Sequence, residues 1–414
     1  MVEVTPPKNI GPLAKREARL AWVLLIPTLF IVAIVVIVPL VSIFWISFKP
    51  IKLSDLRPAI PISKEFLRGN PKKPGDIAEI HYKLRNSSRD VLIKNVTLED
   101  LIPKGLVIEN LDSRCLLSKQ ILICKFGEFY PGYRETMKIP VKVTSVYFSE
   151  SDQPQKSLPR MTGSAENILT NLKFSLKNFK LIFDGKEFFH VLYVTLFYTF
   201  FGTVGAIIFG LFAALLLNRS FKARGVLRGL LLFPYVAPVI AVAFTWVILF
   251  DPFSGSANAL LIQMNVIETP INFFGRKPLA LITVTVFEIW RYFPLSFLFI
   301  LARMQAVDDE MYEAAEMDGA SPLQQFQYLS IPMLMGILSV LFLLRFIWTF
   351  NKFDDIFLLT GGNAGTRTLT VSVYEQAFAI SNIGAGAAVA VIIFGCLIIF
   401  SGLFFKFINH EEGL

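Results

Sequence analysis

Glu288, Trp290, Arg291 and Tyr292 stand together inside one long apolar run of the sequence, and Arg345 and Trp348 stand inside another. Ionisable side chains at membrane depth are costly, so they face a bundle interior or an aqueous cavity. Glu288 and Arg291 are three residues apart, on one helical face, where they can pair; the spacing suits a structural ion pair as well as a contact to a solute. Trp290, Tyr292 and Trp348 offer flat faces to a ring-shaped solute, and equally suit packing or anchoring at a membrane interface. These groups recognise; none forms a bond-making constellation. The sequence has no G-x-x-x-x-G-K-[ST] loop, and Asp184-Gly185-Lys186-Glu187 lacks both the first glycine and the hydroxyl residue that Mg²⁺ needs. No G-x-S-x-G or H-E-x-x-H motif occurs, and His81, His190 and His410 fall in separate segments, so neither a hydrolase nor a metal cluster is expected.

The elements that must position these residues are membrane helices. With 54% hydrophobic residues and 40 Phe, the chain has more apolar surface than one soluble core can hide. Runs long enough to span a bilayer fall at 20–48, 189–217, 226–250, 279–302, 331–350 and 384–405, which predicts six spans. The first is too long for a signal-peptide core and lacks a small-residue cleavage site, so it stays as a helix. Lys8, Lys15, Arg16, Arg19, Arg219, Lys222, Arg224, Arg228, Arg303 and Lys406 gather on one side, against Arg276, Lys277, Lys352 and Arg367 in the short loops opposite. Both tails, 1–19 and 408–414, are therefore expected in the cytoplasm, and the long 49–188 segment outside. The net charge of +8 is mostly this asymmetry plus basic residues in the outer domain, with no aromatic-interleaved basic patch that argues for nucleic acid.

Within the inserted region 49–147, residues 64–147 alternate with a period of two in 77–84, 91–98 and 136–143. Turn signals at Pro74-Gly75-Asp76, Asn86-Ser87-Ser88, Pro103-Lys104-Gly105 and Pro131-Gly132 separate these strands, the spacing of a small β-sandwich. Cys115 and Cys124 flank a hairpin in an oxidising compartment, where a disulfide competes with two free buried thiols. Cys396 lies in the last span and reads as packing; Asn86 and Asn95 open N-x-[ST] sequons. Residues 148–187 are expected as a linker ending in an interfacial segment, with the five-helix core at 188–407.

Between spans four and five, 304–332 reads as a helical hairpin. Met304–Met317 is expected as one helix, with Asp308, Asp309 and Glu310 near its start, where carboxylates oppose the positive end of the dipole. Asp318-Gly319 ends it, and Ser321, Pro322 and Gln324 form an S-x-x-Q capping box that starts another at once. Ala314, Ala315 and Ala320 leave the corner low, while Leu323, Phe326 and Leu329 place apolar groups at spacings of three. Punctuation alone fits a plain connector as well as a docking joint.

The order Glu313, Ala314, Ala315, Asp318, Gly319, Ala320, Phe326, Leu329, Ile331, Pro332 resembles the EAA loop of membrane subunits of binding-protein-dependent ABC importers. In that family the loop is a coupling helix that docks on an ATP-binding subunit. The stretch from Leu176 to Thr199, the series Arg228, Pro234, Tyr235, Pro238, Trp246, and FIWTFNKFDDIFLLTGGNAGTRT resemble carbohydrate-importer permeases, notably the larger membrane subunit of maltose systems. Departures stand at Val194-Thr195, where members of that family often have Asn-Thr, and at Gly361-Gly362-Asn363, where they often have Gly-Gly-Pro. The stretch from Pro74 to Ile108 resembles immunoglobulin-like surface repeats.

The resemblance implies an all-α polytopic membrane protein of the type I importer permease fold with an inserted extracytoplasmic β-sandwich. It implies a multi-pass subunit of the inner or plasma membrane that imports a sugar or oligosaccharide without being an enzyme. Its partners would be a second permease, two ATP-binding subunits that hold ATP and Mg, and a solute-binding protein. No cofactor is expected in this chain. A polyol or glycerol phosphate importer, and a membrane-anchored adhesion or sensor protein displaying the sandwich, are the alternatives; the second leaves the capped hairpin without a purpose.

Overall fold

A computed structural model describes residues 11–149 and 159–411. Parts of both expected tails (1–10 and 412–414) and the middle of the expected linker (150–158) lie outside the described residues. The chain divides into two compact units: Lys49–Ser175 with Ser381–Ile383, and the helices before and after.

The helical unit starts with α1 (Pro12–Val32), which passes through a π-turn (Ala33–Ile37) into α2 (Val38–Ser47). From Leu20 to Val41 the side chains are apolar nearly all round and mostly exposed within the chain, which suits a helix whose solvent is lipid.

In the sheet unit, β1 (Pro61–Arg68), β2 (Ile77–Asn86), β3 (Ile93–Leu101), β4 (Leu106–Ile108), β5 (Cys115–Ser118), β6 (Ile121–Phe129) and β7 (Arg134–Val143) precede the short α3 (Ser145–Ser149) and β8 (Arg160–Ala165). They form two antiparallel sheets, ordered β1-β2-β7-β4 and β5-β6-β3-β8. Alternation sends Ile80, Tyr82, Leu84, Ile139 and Val141 from one sheet into a buried cluster; Ile93, Val96, Leu98, Leu122 and Phe129 join it from the other, where register shifts between Ile93 and Thr97 in the β3–β6 pair bring residues at odd spacings to one face. Cys115 lies opposite Cys124 across β5 and β6, joined to it by a disulfide. β8 falls in the stretch expected as linker. It is short and built of small and polar residues, so its period-two signal is weak; pairing with β3 makes it a strand.

The second group of helices comprises α4 (Lys177–Phe183), α5 (Phe188–Asn218), α6 (Arg224–Leu231), α7 (Phe233–Val236), α8 (Val239–Leu249), α9 (Ser256–Gln263) and α10 (Leu279–Met304). It continues with α11 (Asp309–Met317), α12 (Pro322–Gln325), α13 (Ile331–Phe350), α14 (Asp354–Thr360), α15 (Leu369–Tyr374) and α16 (Ile383–Glu411). Among the described residues five helices are long and apolar enough to cross a membrane, or six if the broken pair 224–249 counts as one span.

That broken pair occupies the span expected over 226–250. The chain bends by 89° between Val236 and Val239, because Pro238 disfavours helical geometry at Ala237, whose ψ is 143°. Pro238 also lacks the N–H that the Pro234 carbonyl would accept in a continuous helix.

α5 lies tightly on α10. Gly202, Ala206, Gly210 and Ala214 recur every four residues on one buried stripe of α5. A Cβ at Gly210 would come within 2.6 Å of Ser296 Cβ and 2.7 Å of the Phe297 backbone nitrogen, so only glycine allows this approach.

Candidate functional site

The close contact of α5 with α10 delivers Tyr198 and Gly202 to the buried Glu288 carboxylate. Tyr198 donates from its hydroxyl to Glu288 Oε2 at 2.9 Å. From α13, Arg345 Nη2 donates to Glu288 Oε1 at 2.9 Å and Thr349 Oγ1 donates to the same oxygen at 3.0 Å. Arg345 and Thr349 are four apart and so reach one point from one face. Glu288 is wholly buried, and three donors from two other helices offset its desolvation.

Glu288 therefore does not pair with Arg291. Three residues further along α10, Arg291 turns to the broken helix: its Nη1 and Nη2 donate to the carbonyls of Pro234 and Ala237, each at 3.1 Å. These are carbonyls that the Pro238 break releases from helix bonding, and the guanidinium satisfies them. Arg291 Nε lies 4.0 Å from Asp355 Oδ1 on α14. Asp355 is fully buried, and neither carboxylate oxygen has a hydrogen-bond partner among the described residues.

Tyr292 lies at the centre of the cations. Lys352 Nζ is 4.3 Å, Arg345 Cζ 4.9 Å and Arg291 Cζ 5.5 Å from its ring centroid. Such contacts are attractive through the ring quadrupole and strengthen when desolvated. Trp290 packs beside Trp246, with ring centroids 5.3 Å apart. Trp348 is half exposed on α13, and among the described residues it joins neither the aromatic group nor the charges. Of the five expected pathway residues, Glu288, Trp290, Arg291 and Tyr292 thus share one region of the bundle, and Trp348 stands apart.

Tyr198, Thr349, Lys352 and Asp355 belong to this region without having been singled out in the sequence. Their signal is a polar stripe, Thr195, Tyr198, Thr199, Gly202 and Thr203, in an otherwise apolar run, with a Lys and an Asp three apart just beyond α13. Together the groups offer carboxylate acceptors, cationic donors and aromatic faces inside the helical unit, suited to recognising a polar solute rather than to covalent chemistry. Among the described residues no three His, Cys, Asp or Glu side chains gather as a metal site.

The second site is the hairpin. α10 stops at Met304, and α11 begins only at Asp309, after Asp308 in extended geometry at the N-cap position, so the helix expected over 304–317 is shorter at its start. α11 ends in a Schellman motif: Ala320 N–H donates to Ala315 O at 2.9 Å and Gly319 N–H to Glu316 O at 3.0 Å, with Gly319 at φ +81°. Ser321 follows at once, its N–H donating to Gln324 Oε1 at 2.8 Å in a capping box. The hydroxyls of Tyr312 and Ser330, 3.0 Å apart, tie the arms together. Glu313, Ala314, Asp318 and Gly319 are exposed, as are Pro332 and the apolar Met317, Leu323 and Tyr328; Ala315 and Ala320 are half-buried. The corner is capped on both sides and open.

Candidate membrane spans, a buried polar cluster and a capped polar hairpin are features that a membrane permease requires. The family described as binding-protein-dependent transport system inner membrane component matches residues 206–411. The Escherichia coli (strain K12) inner membrane ABC transporter permease protein YcjO is 36% identical over 227 residues, 55% of this chain and 76% of that protein. The trehalose/maltose transport system permease protein MalF of Thermococcus litoralis is 32% identical over 232 residues, 56% of this chain and 78% of that one. A chain in the crystal structure of a bacterial alginate ABC transporter with an alginate pentasaccharide-bound periplasmic protein matches in fold. Its TM-score is 0.53 at 17% identity, covering 58% of this chain and 83% of that chain. The chain belongs to the family of binding-protein-dependent transport system inner membrane components.

Proposed function

We propose that the chain is one of two permease subunits of an ATP-driven importer for a sugar or oligosaccharide, the solute class in the names of its trehalose and maltose relatives. It sits in the inner or plasma membrane with both termini in the cytoplasm. The sheet unit is an immunoglobulin-like sandwich on the outer side. A second permease completes the pathway, two ATP-binding subunits hold ATP and Mg, and an extracytoplasmic binding protein delivers the solute. Glu288, Arg291, Tyr292, Lys352 and Asp355 line the path, with Trp290 beside them.

The observation that carries this reading is the exposed, doubly capped corner at Gly319. Glu313, Ala314, Ala315, Asp318, Ala320 and Pro332 flank a rigid knob for the ATPase, so closure of that subunit moves α10 and α13 through the two arms. ATP and the loaded binding protein each act through their different affinities for inward- and outward-facing states.

Gly319→Val tests the coupling. A Cβ at Gly319 would meet nothing within 4 Å, so the substitution acts through its positive φ, a strain of about 1–2 kcal/mol, and not by a clash. The variant should insert normally yet lose the ATP-binding subunits on co-purification, or keep them hydrolysing without uptake in proteoliposomes. Normal uptake and normal ATPase stimulation in both Gly319→Val and Glu313→Ala would refute the role.

A further inference from the structure

In the β1–β2–β7 sheet, Ala78, Ile80, Tyr82 and Leu84 point into the core, which sends their alternate neighbours to the opposite face. That outer face is strongly cationic. The register sets Lys64 directly opposite Lys83, and Arg85 directly opposite Arg134; Lys138 and Lys142 continue the row along β7. Among the described residues none of these six closes an ion pair. The one acid of the three outer rows, Glu79, sits opposite Arg68 and accepts from His81 at 2.7 Å.

Like charges directly opposite one another across a sheet weaken it, and a surface selected for stability alone would alternate the signs. Here two such pairs adjoin, around a groove of about 480 Å³ lined by Lys64, Lys83, Arg85, Arg134 and Thr136, with Glu135 at its edge. The cations form a lattice spaced at about 5 Å between strands and about 7 Å along them. Phe66 lies half-buried in the same face, with Lys83 Nζ 5.0 Å above its ring and the His81 ring 5.3 Å away.

We propose that this face binds a linear acidic polysaccharide, whose repeating carboxylates match the cation rows and whose pyranose faces can rest on Phe66. A stable protein partner fits less well, because interface centres are depleted in charge and this face is cationic at its centre. A flat array serves a polymer that can engage several rungs at once, each contact weak and screened by salt. The inference concerns the sheet unit alone and does not rest on the solute assigned to the helical unit.

The test uses the full chain in nanodiscs, with polygalacturonate as the acidic probe and dextran as the neutral one. Polygalacturonate should bind and dextran should not, and Lys83→Gln/Arg85→Gln/Arg134→Gln should weaken polygalacturonate binding by about tenfold or more. Lys94→Gln/Lys125→Gln/Arg160→Gln, the same charge change on the other sheet, should leave it within about twofold. Removing opposed like charges should keep the melting midpoint at or above the parent's, so a loss of binding is not a loss of fold. Equal losses in the two triple variants, or no polygalacturonate binding by the parent, would overturn the proposal. So would polyphosphate binding more tightly than polygalacturonate with no response to Phe66→Ser, or loss of solute-binding-protein docking in the first variant while polygalacturonate binding persists.

Discussion

Each unit of the chain holds an arginine, a carboxylate and a tyrosine in contact, at opposite ends of the solvent scale. In the sheet unit Arg114 Nη2 lies 2.8 Å from Asp112 Oδ2 and 2.7 Å from Glu135 Oε1, and the Tyr133 hydroxyl donates to Glu135. These charged side chains are 35%, 23% and 29% exposed. In the helical unit Arg345 and Glu288 meet at 2.9 Å with side chains 2% and 0% exposed. The distances are nearly the same, but the energetics differ. Water screens the outer network and competes for its bonds, leaving each pair worth about 0.2–1 kcal/mol. The inner pair is no more stabilising than a well-packed apolar pair would be, yet removing one partner strands a buried charge at about 3–5 kcal/mol. An interior that pays this desolvation without a net gain in stability fits a region kept polar for passage of a solute.

The largest expected effect breaks the inner network. Arg345→Met leaves Glu288 with two neutral donors and should lower stability in detergent by about 3–5 kcal/mol, read as lost folded yield and a lower melting midpoint. Glu288→Gln/Arg345→Met should recover most of that stability without recovering uptake. If Arg345→Met melts no lower than Arg114→Gln, burial does not set the worth of these contacts and the comparison fails.

The tyrosines give a finer measure. Tyr198→Phe removes a buried donor to a charged acceptor and should cost about 1.5–3 kcal/mol. In Tyr133→Phe water replaces the lost donor, and the cost should stay under about 1 kcal/mol. Thermal unfolding of the two single variants decides it; equal losses would blur the distinction between the units.

Legibility in the sequence follows the range of the interactions. The hairpin corner can be read from residues because Asp318-Gly319 and Ser321-Pro322 with Gln324 act within one turn of themselves. The presence of long helices and core-facing strands is legible from periodicity for the same local reason. Glu288 misleads because Arg291 is near in sequence, whereas its partner Arg345 is brought 57 residues back by the packing of three helices. That packing depends on Gly202 and Gly210, whose role is an absence of side chain and leaves little mark on hydropathy. β8 is hidden similarly: its strand identity resides in its partner β3. The bend at Pro238 has a local cause, but a hydropathy window averages over it.

The smallest effect, and the sharpest contrast, concerns acid. Hydrogen bonds from the Arg114 side chain, then from its backbone, hold the Asp112 carboxyl down at about 2, and the Arg114 side chain also lowers Glu135. A depressed folded value means that the network stabilises the folded sheet unit above the unfolded carboxylate range of about 4, and that this contribution disappears as pH falls through about 2. Partial exposure limits the change to less than about 1 kcal/mol. Tyr133 stacks on Phe129 with centroids 4.2 Å apart, so its near-ultraviolet signal reports on this corner during denaturant titrations of the full chain between about pH 5 and pH 2. Arg114→Gln should flatten the acid dependence, and about 1 M salt should do the same to the parent, because the exposed charges are screened within about 3 Å. Salt should leave the effect of Arg345→Met nearly unchanged, since buried charges are screened far less than exposed ones. A salt-insensitive Arg114 network would place both networks in the same dielectric regime and remove the difference on which the comparison stands.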